Sequence, residues 1–235
     1  QAYHEDPKTD FHQMVADIAK IPRKQAKTIN LALMYGMGQT KLAEQLDVTP
    51  EEAKHLIQQY HQQVPFVKEL MDTVQRRVGG PLGSGFVRSL LGRKCRFNLW
   101  EPNLFVTSKA LPKEQAVIEY GNNIKRAYTY KSLNRLIQAS ASDFTKRAMV
   151  EIYKTGKVPL IQIHDELAFS IKDKEELVDL RKAMENAVEL KVPTPCDTAH
   201  GPNWGSIKKL EIPTEEKVLP LLKTRLKKFT EAWLI

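Results

Sequence analysis

Four of the seven residues from Gly79 to Gly85 are glycine and a fifth is proline, so the segment breaks any regular pattern running into it. The chain on either side is built differently. Ahead of the break the apolar period is helical. Residues 10–20 read as a short helix that halts at Ile21-Pro22, because proline disfavours a helical conformation for the residue before it. A helix over Arg23–Tyr35 follows, then one over Gln39–Leu46. Thr49-Pro50-Glu51-Glu52 is a strong helix start: Thr49 caps, Pro50 takes the first position and Glu52 reaches back to the cap. That helix carries Leu56, Ile57 and Tyr60 towards Pro65, beyond which Phe66, Leu70 and Val74 continue the period.

After the break, Phe86 to Phe97 reads as a strand, a turn and a strand bearing four cations, Arg88, Arg93, Lys94 and Arg96. Residues 98–115 are irregular, and Ala116 to Thr155 is mostly helical with a break near Gly121 and a stop at Gly156. Val158–Ile163 and Leu167–Ile171 flank His164-Asp165-Glu166 as two short strands around a tight acidic turn. A helix over Lys174–Glu189 and an extended piece over Cys196–Trp204 complete this part. Over residues 215–235 the apolar residues Val218, Leu222, Leu226, Phe229 and Trp233 recur at helical spacing, an amphipathic tail.

The 235 residues suffice for one large or two modest domains, and no apolar run approaches the roughly 18 residues that span a membrane. A net charge of +8 favours a polyanionic partner, provided the cations cluster on one surface. Cys95 and Cys196 lie far apart without metal-site spacing, which suits a reducing compartment. Gln1-Ala-Tyr-His-Glu-Asp-Pro has no initiator Met and no signal-peptide character, so a fragment is expected.

Two constellations carry chemistry. Arg23, Lys27, Leu31 and Tyr35 are spaced by four, which on an α-helix places them on one face. A planar guanidinium and a compact ammonium grip a flexible triphosphate, and Tyr35, three turns on, offers a stacking surface. The competing reading is a solvated basic face with Leu31, Leu33, Met34 and Tyr35 in the core. Gly36 and Gly38 then end or hinge the helix. At the hairpin tip, Asp165 and Glu166 present oxygen ligands suited to Mg²⁺, against the plainer reading of ordinary polar turn residues. Together the two suggest metal-assisted phosphoryl transfer.

The order of these motifs resembles the carboxy-terminal part of a family A DNA polymerase. Arg23-x3-Lys27-x7-Tyr35-Gly36 resembles motif B of the fingers, and Gln162-Ile-His164-Asp165-Glu166 resembles motif C of the palm. Asn134-Arg-Leu-Ile-Gln138 is similar to the helix that touches the template-primer minor groove, Leu91-Gly92-Arg93 to the Gly-Arg segment, and Asp10-Phe-His12 to the segment whose His reaches the triphosphate. Gly201-Pro-Asn-Trp204 is similar to the ending of phage-type members.

The resemblance implies an α+β fold, a helical fingers lobe with a small antiparallel palm sheet. Residues 1–122 would be fingers with a palm edge at the start, 123–207 palm and 208–235 the tail. It implies DNA-templated, Mg²⁺-dependent nucleotidyl transfer to a primer 3′ end, in the cytoplasm of a bacterial or phage-infected cell. By the same carry-over Arg23, Lys27 and His12 bind the dNTP triphosphate, Lys27 also serving in catalysis, and Leu31 lies by the sugar. Tyr35 stacks near the template base. Asp165 and Glu166 form the metal and catalytic centre, and His164 sits near the primer terminus. Asn134 and Gln138 read universal minor-groove acceptors, while Arg88, Arg93, Lys94 and Arg96 hold DNA phosphates.

Two departures stand out. Leu31 occupies a position where most members carry Phe or Tyr, which implies altered sugar selectivity. Motif A, an apolar strand ending in a metal-binding Asp, has no counterpart; Asp6 and Asp10 lie in nothing like it. Two-metal chemistry needs carboxylates on both sides of the ions. The expectation is a second polypeptide carrying the thumb and the motif A Asp, with a 3′–5′ exonuclease domain as an optional further part. Two rival readings remain: a DNA-binding helix-turn-helix over Gln39–Ile57, and a noncatalytic polymerase remnant.

Overall fold

The computed structural model describes residues 5–6, 9–80, 82–104 and 108–210. The amphipathic tail expected over 215–235 lies outside the described residues. Over the rest the chain is α+β, with helices first and short antiparallel pairings after them.

Helix α1 (Phe11–Ala19) begins at Asp10, whose Oδ1 accepts from the His12 and Gln13 N–H groups at 2.9 and 3.1 Å. It stops at Lys20, which takes a left-handed conformation with φ 54°. Helix α2 (Arg23–Met34) has Tyr35 as its C-cap. Gly36 follows at φ 68°, where an added Cβ would lie 2.9 Å from the ring and carbonyl of Tyr130, so glycine is required twice over. Helix α3 (Gln39–Leu46) turns through Asp47 into α4 (Pro50–Gln63). The capping box forms: Thr49 N–H donates to Glu52 Oε2 at 2.8 Å, and Glu52 N–H donates to Thr49 Oγ1 at 3.2 Å. Such a cap contributes about 1 kcal/mol.

Helix α5 (Pro65–Gly79) departs from the sequence expectation. Phe66 and Leu70 are exposed, and the inward residues are Val67, Met71, Val74 and Val78. Val64, at φ −128° and ψ 60°, breaks the helix ahead of Pro65, so α5 starts with a new phase instead of inheriting that of α4. The first core packs Val15, Ile29, Leu33, Leu42, Tyr60 and Val67 from α1 to α5. Each large side chain so buried contributes about 2 kcal/mol. The second core joins Val74 and Val78 of α5 to Val87, Phe97 and Leu133. Helix α5 thus serves both.

Beyond the glycine-rich break, β1 (Phe86–Arg88) pairs antiparallel with β2 (Lys94–Arg96). Residues expected to be irregular or helical instead form a three-stranded sheet, with β3 (Leu99–Pro102) between β4 (Leu111–Pro112) and β5 (Ile124–Arg126). Strands of two to four residues leave no alternation to read, and their pairing is long-range. Their support is local chemistry: the Arg126 guanidinium lies 4.6 Å above the Trp100 ring, and Lys113 reaches it from 5.5 Å. Helix α6 (Lys113–Tyr120) ends at Gly121, and α7 (Ser132–Tyr153) begins after a 3-10 turn. Gly156 lies just past it at φ 86°, as expected of a helix stop.

The hairpin of β6 (Ile161–Ile163) and β7 (Glu166–Ala168) is followed by α8 (Lys174–Glu185), whose N-cap Asp173 accepts from the Glu176 N–H at 2.8 Å. Helix α8 ends four residues before the expected Glu189, because the Asn186 side chain donates to the Lys182 carbonyl and closes the last turn. Strands β8 (Thr198–His200) and β9 (Lys208–Leu210) pair last.

Candidate nucleotide and nucleic-acid site

Helix α2 divides cleanly. Ala26, Ile29, Asn30, Ala32 and Leu33 are buried against the first core, while Arg23, Lys27, Leu31 and Tyr35 are exposed. Leu31 and Tyr35 are therefore surface residues, and the stripe runs about 18 Å along the helix at 1.5 Å per residue. Lys27 stands without a partner among the described residues.

At the head of the stripe, Asp10 Oδ2 accepts from Arg23 Nε at 2.7 Å and pairs with Arg23 Nη2 at 2.5 Å. That leaves Arg23 Nη1 without a partner among the described residues. Hydrogen bonds from Arg23 and the Gln13 N–H hold the Asp10 carboxyl below the usual carboxylate range. The carboxylate that caps α1 thus also ties down Arg23. His12, half-buried in the first turn of α1, meets the fully buried Asn30 with 3.0 Å between its Nδ1 and Asn30 Nδ2. Asn30 Oδ1 is buried without a partner, a cost of about 1–3 kcal/mol that an apolar residue would avoid. The sequence gives Asn30 a visible signal, a polar side chain among Ala26, Ile29 and Leu33.

At the other end, Gln138 Nε2 of α7 donates to the Tyr35 hydroxyl at 3.0 Å, joining two residues predicted for different roles. Asn134 sits half-buried one turn earlier on α7.

The cations of the β1–β2 hairpin split. The register sets Phe86 against Arg96 and Arg88 against Lys94, so these four share one face, while Val87 and Cys95 turn towards the second core. Arg88 and Lys94 lie over the Phe86 ring at 5.4 and 4.8 Å. Arg93 turns away. Its Nε donates to Asp143 Oδ1 at 2.9 Å and its Nη2 to the Ala139 carbonyl at 3.0 Å, pinning the turn onto α7. Burial works to raise the Asp143 carboxyl, but hydrogen bonds from Ser89 and Arg93 and the Arg93 charge outweigh it and hold it low. Beside β2, a cleft of about 290 Å³ is lined by Arg96, Tyr128, Lys131 and Arg135 among others. Lys131 and Arg135 were not singled out from the sequence, because their clustering with Arg96 exists only in three dimensions.

At the acidic hairpin the turn is two residues, His164 and Asp165, and Glu166 already lies in the ladder opposite Ile163. The expected three-residue turn is shortened by that pairing. His164 takes φ 53°, and its carbonyl accepts from Gln162 Nε2 at 2.5 Å. Asp165 and Glu166 are exposed, and the negative field of Asp165 reaches Cys196, whose thiol is pushed up first by burial and then by Glu185. The two carboxylates are hard oxygen donors of the kind Mg²⁺ takes. Among the described residues no cluster of three or more His, Cys, Asp or Glu forms.

A family model described as DNA polymerase family A matches residues 2–206. The chain belongs to DNA polymerase family A. Within the family it is 33% identical to a DNA-directed DNA polymerase of Pseudomonas phage M6, over 86% of this chain and 32% of that protein. It is 30% identical to DNA polymerase I of Geobacillus stearothermophilus, over 83% of this chain and 21% of that protein. The fold matches the POL domain of Pol1 from M. smegmatis, solved in complex with DNA primer-template and dNTP. The TM-score is 0.61 and the identity 28%, over 82% of this chain and 33% of that one. This family A chain thus spans a fifth to a third of the length of these relatives. No helix among its described residues is long and apolar enough to cross a membrane.

Proposed function

We propose that this chain contributes the nucleotide-gripping and strand-holding parts of a DNA-templated DNA polymerase, adding dNTPs to a primer 3′ end. The observation that carries the reading is the exposed stripe of α2, two cations, an aliphatic residue and a ring on one face with the opposite face buried. Arg23 Nη1, Lys27 Nζ and His12 bind the triphosphate, and Lys27 offsets charge on the leaving pyrophosphate. Leu31 contacts the sugar, and Tyr35, steadied by Gln138, stacks near the template base. Asn134 and Gln138 read the minor groove, His164 lies near the primer end, and Arg88, Lys94 and Arg96 track phosphates. Arg93 acts by fixing the turn that carries them.

Asp165 and Glu166 would hold Mg²⁺, which supplies charge neutralisation and activation of the 3′-hydroxyl when bound. An Asp outside residues 1–235 completes that centre, carried with the thumb by a second polypeptide or by further residues of a longer one. Fingers over 1–122 and palm over 123–207 remain our division, and the bacterial and phage relatives support a cytoplasmic setting. The helix-turn-helix reading is disfavoured by Glu51 and Glu52, two exposed carboxylates at the start of the second helix, where a recognition helix would meet DNA.

The test is primer extension by residues 1–235 mixed with a polypeptide bearing the thumb and a motif A strand. Extension by the mixture, abolished by Asp165→Asn, is expected; robust extension by residues 1–235 alone would overturn the need for an outside Asp.

A further inference from the structure

We propose that Asn30 is a positioning residue: it holds the His12 ring by Nδ1, so that the proton sits on Nε2, ready to donate to an incoming anion. The inference rests on the reading that His12 meets the triphosphate. Asn30 lies on the buried face of α2, fully enclosed, and His12 is the single polar group it meets among the described residues. Its amide N–H donates to His12 Nδ1 across 3.0 Å, so Nδ1 acts as acceptor and the ring proton resides on Nε2. Nε2 has no partner among the described residues. Asn30 Oδ1 is left unsatisfied in the core, so the residue sits there at a cost in desolvation, offset by the fixed ring. Had the amide the opposite orientation, Oδ1 would face the ring and Nδ1 would have to carry a proton to meet it.

Asp10 fits the same arrangement. It caps the helix that carries His12 and binds Arg23 by one edge, so the two phosphate-seeking groups are set relative to each other before a ligand arrives. Asn30 does the equivalent work for the imidazole from beneath.

Two measurements on the ¹⁵N-labelled chain test this. First, nuclear magnetic resonance of the ring nitrogens, with His12 assigned by His12→Gln, should show an unprotonated Nδ1 coupled through the hydrogen bond to Asn30 Nδ2. The coupling should be absent in Asn30→Leu, and a protonated Nδ1 in the wild type at neutral pH overturns the proposal. Second, binding of dATP with Mg²⁺ should weaken about fivefold in Asn30→Leu. In a His12→Gln background the same substitution should change nothing, because its effect passes through the ring. An equal loss in both backgrounds would mark Asn30 as merely structural and overturn the proposal. If the wild type does not bind dATP, or if Arg23→Ala and His12→Ala bind it as well as the wild type does, the triphosphate reading fails. The nitrogen coupling then decides alone whether Asn30 holds His12.

Discussion

Leu31 shows how much one side chain on an exposed stripe can decide. Half-exposed between Lys27 and Tyr35, it presents only aliphatic surface where a ring would present an edge and, in Tyr, a hydroxyl. One hydrogen bond gained or lost is worth about tenfold. Leu31→Tyr should therefore raise dideoxy over deoxy incorporation by about tenfold in the complemented polymerase, because the new hydroxyl stands in for the one missing from the sugar. An unchanged ratio in competitive primer extension sinks the idea. Asp143 makes a separate residue-scale case. Its carboxyl is held low in the fold, so its stabilising contribution is present above the ordinary carboxylate value near pH 4 and fades as pH falls through the folded value. Asp143→Asn should cost about 2 kcal/mol in urea unfolding at neutral pH, and the deficit should shrink in acid. A deficit as large at about pH 3 as at pH 7 would show that the loss is not electrostatic.

The β1–β2 hairpin behaves as a unit because its register, and not its composition, sorts its cations. Lys94→Ala and Arg96→Ala should each reduce the slope of log affinity for duplex DNA against log salt by about 1, whereas Arg93→Gln, already committed to Asp143, should leave it unchanged. Equal slopes for all three would contradict the division. The elements themselves were unequally legible in the sequence. The capping box at Thr49, the bounds of α3 and the exposed face of α2 follow from local rules, because caps and helical periods act within a turn or two. The phase of α5 was lost because Val64 resets it, and the three-stranded sheet around Trp100 was missed because its pairings span up to 26 positions, as between Trp100 and Arg126. The site divides likewise. Arg23 and Lys27 stand out by spacing and Asp165 by its place in a tight acidic turn, while the Tyr35–Gln138 bond and the cleft of Arg96, Lys131 and Arg135 arise only when distant segments meet.

At the scale of the whole molecule, the described residues form a helical lobe on one core and a mixed lobe on another, with Gly36 packed on Tyr130 and Tyr35 bonded to Gln138 where they touch. The charge that sequence composition gives only as a total of +8 is distributed to match, with Arg23 and Lys27 on one lobe and Arg88, Lys94 and Arg96 on the other. Helix α5 gives Val67 to one core and Val74 and Val78 to the next, although the glycine-rich seam comes only after it. The seam is therefore a poor place for scissors. A piece ended there keeps a greasy strip on its last two turns, and the piece that begins there lacks the wall its own interior was shaped against; anyone wishing to transplant, swap or separately express the halves must carry this one rod with both.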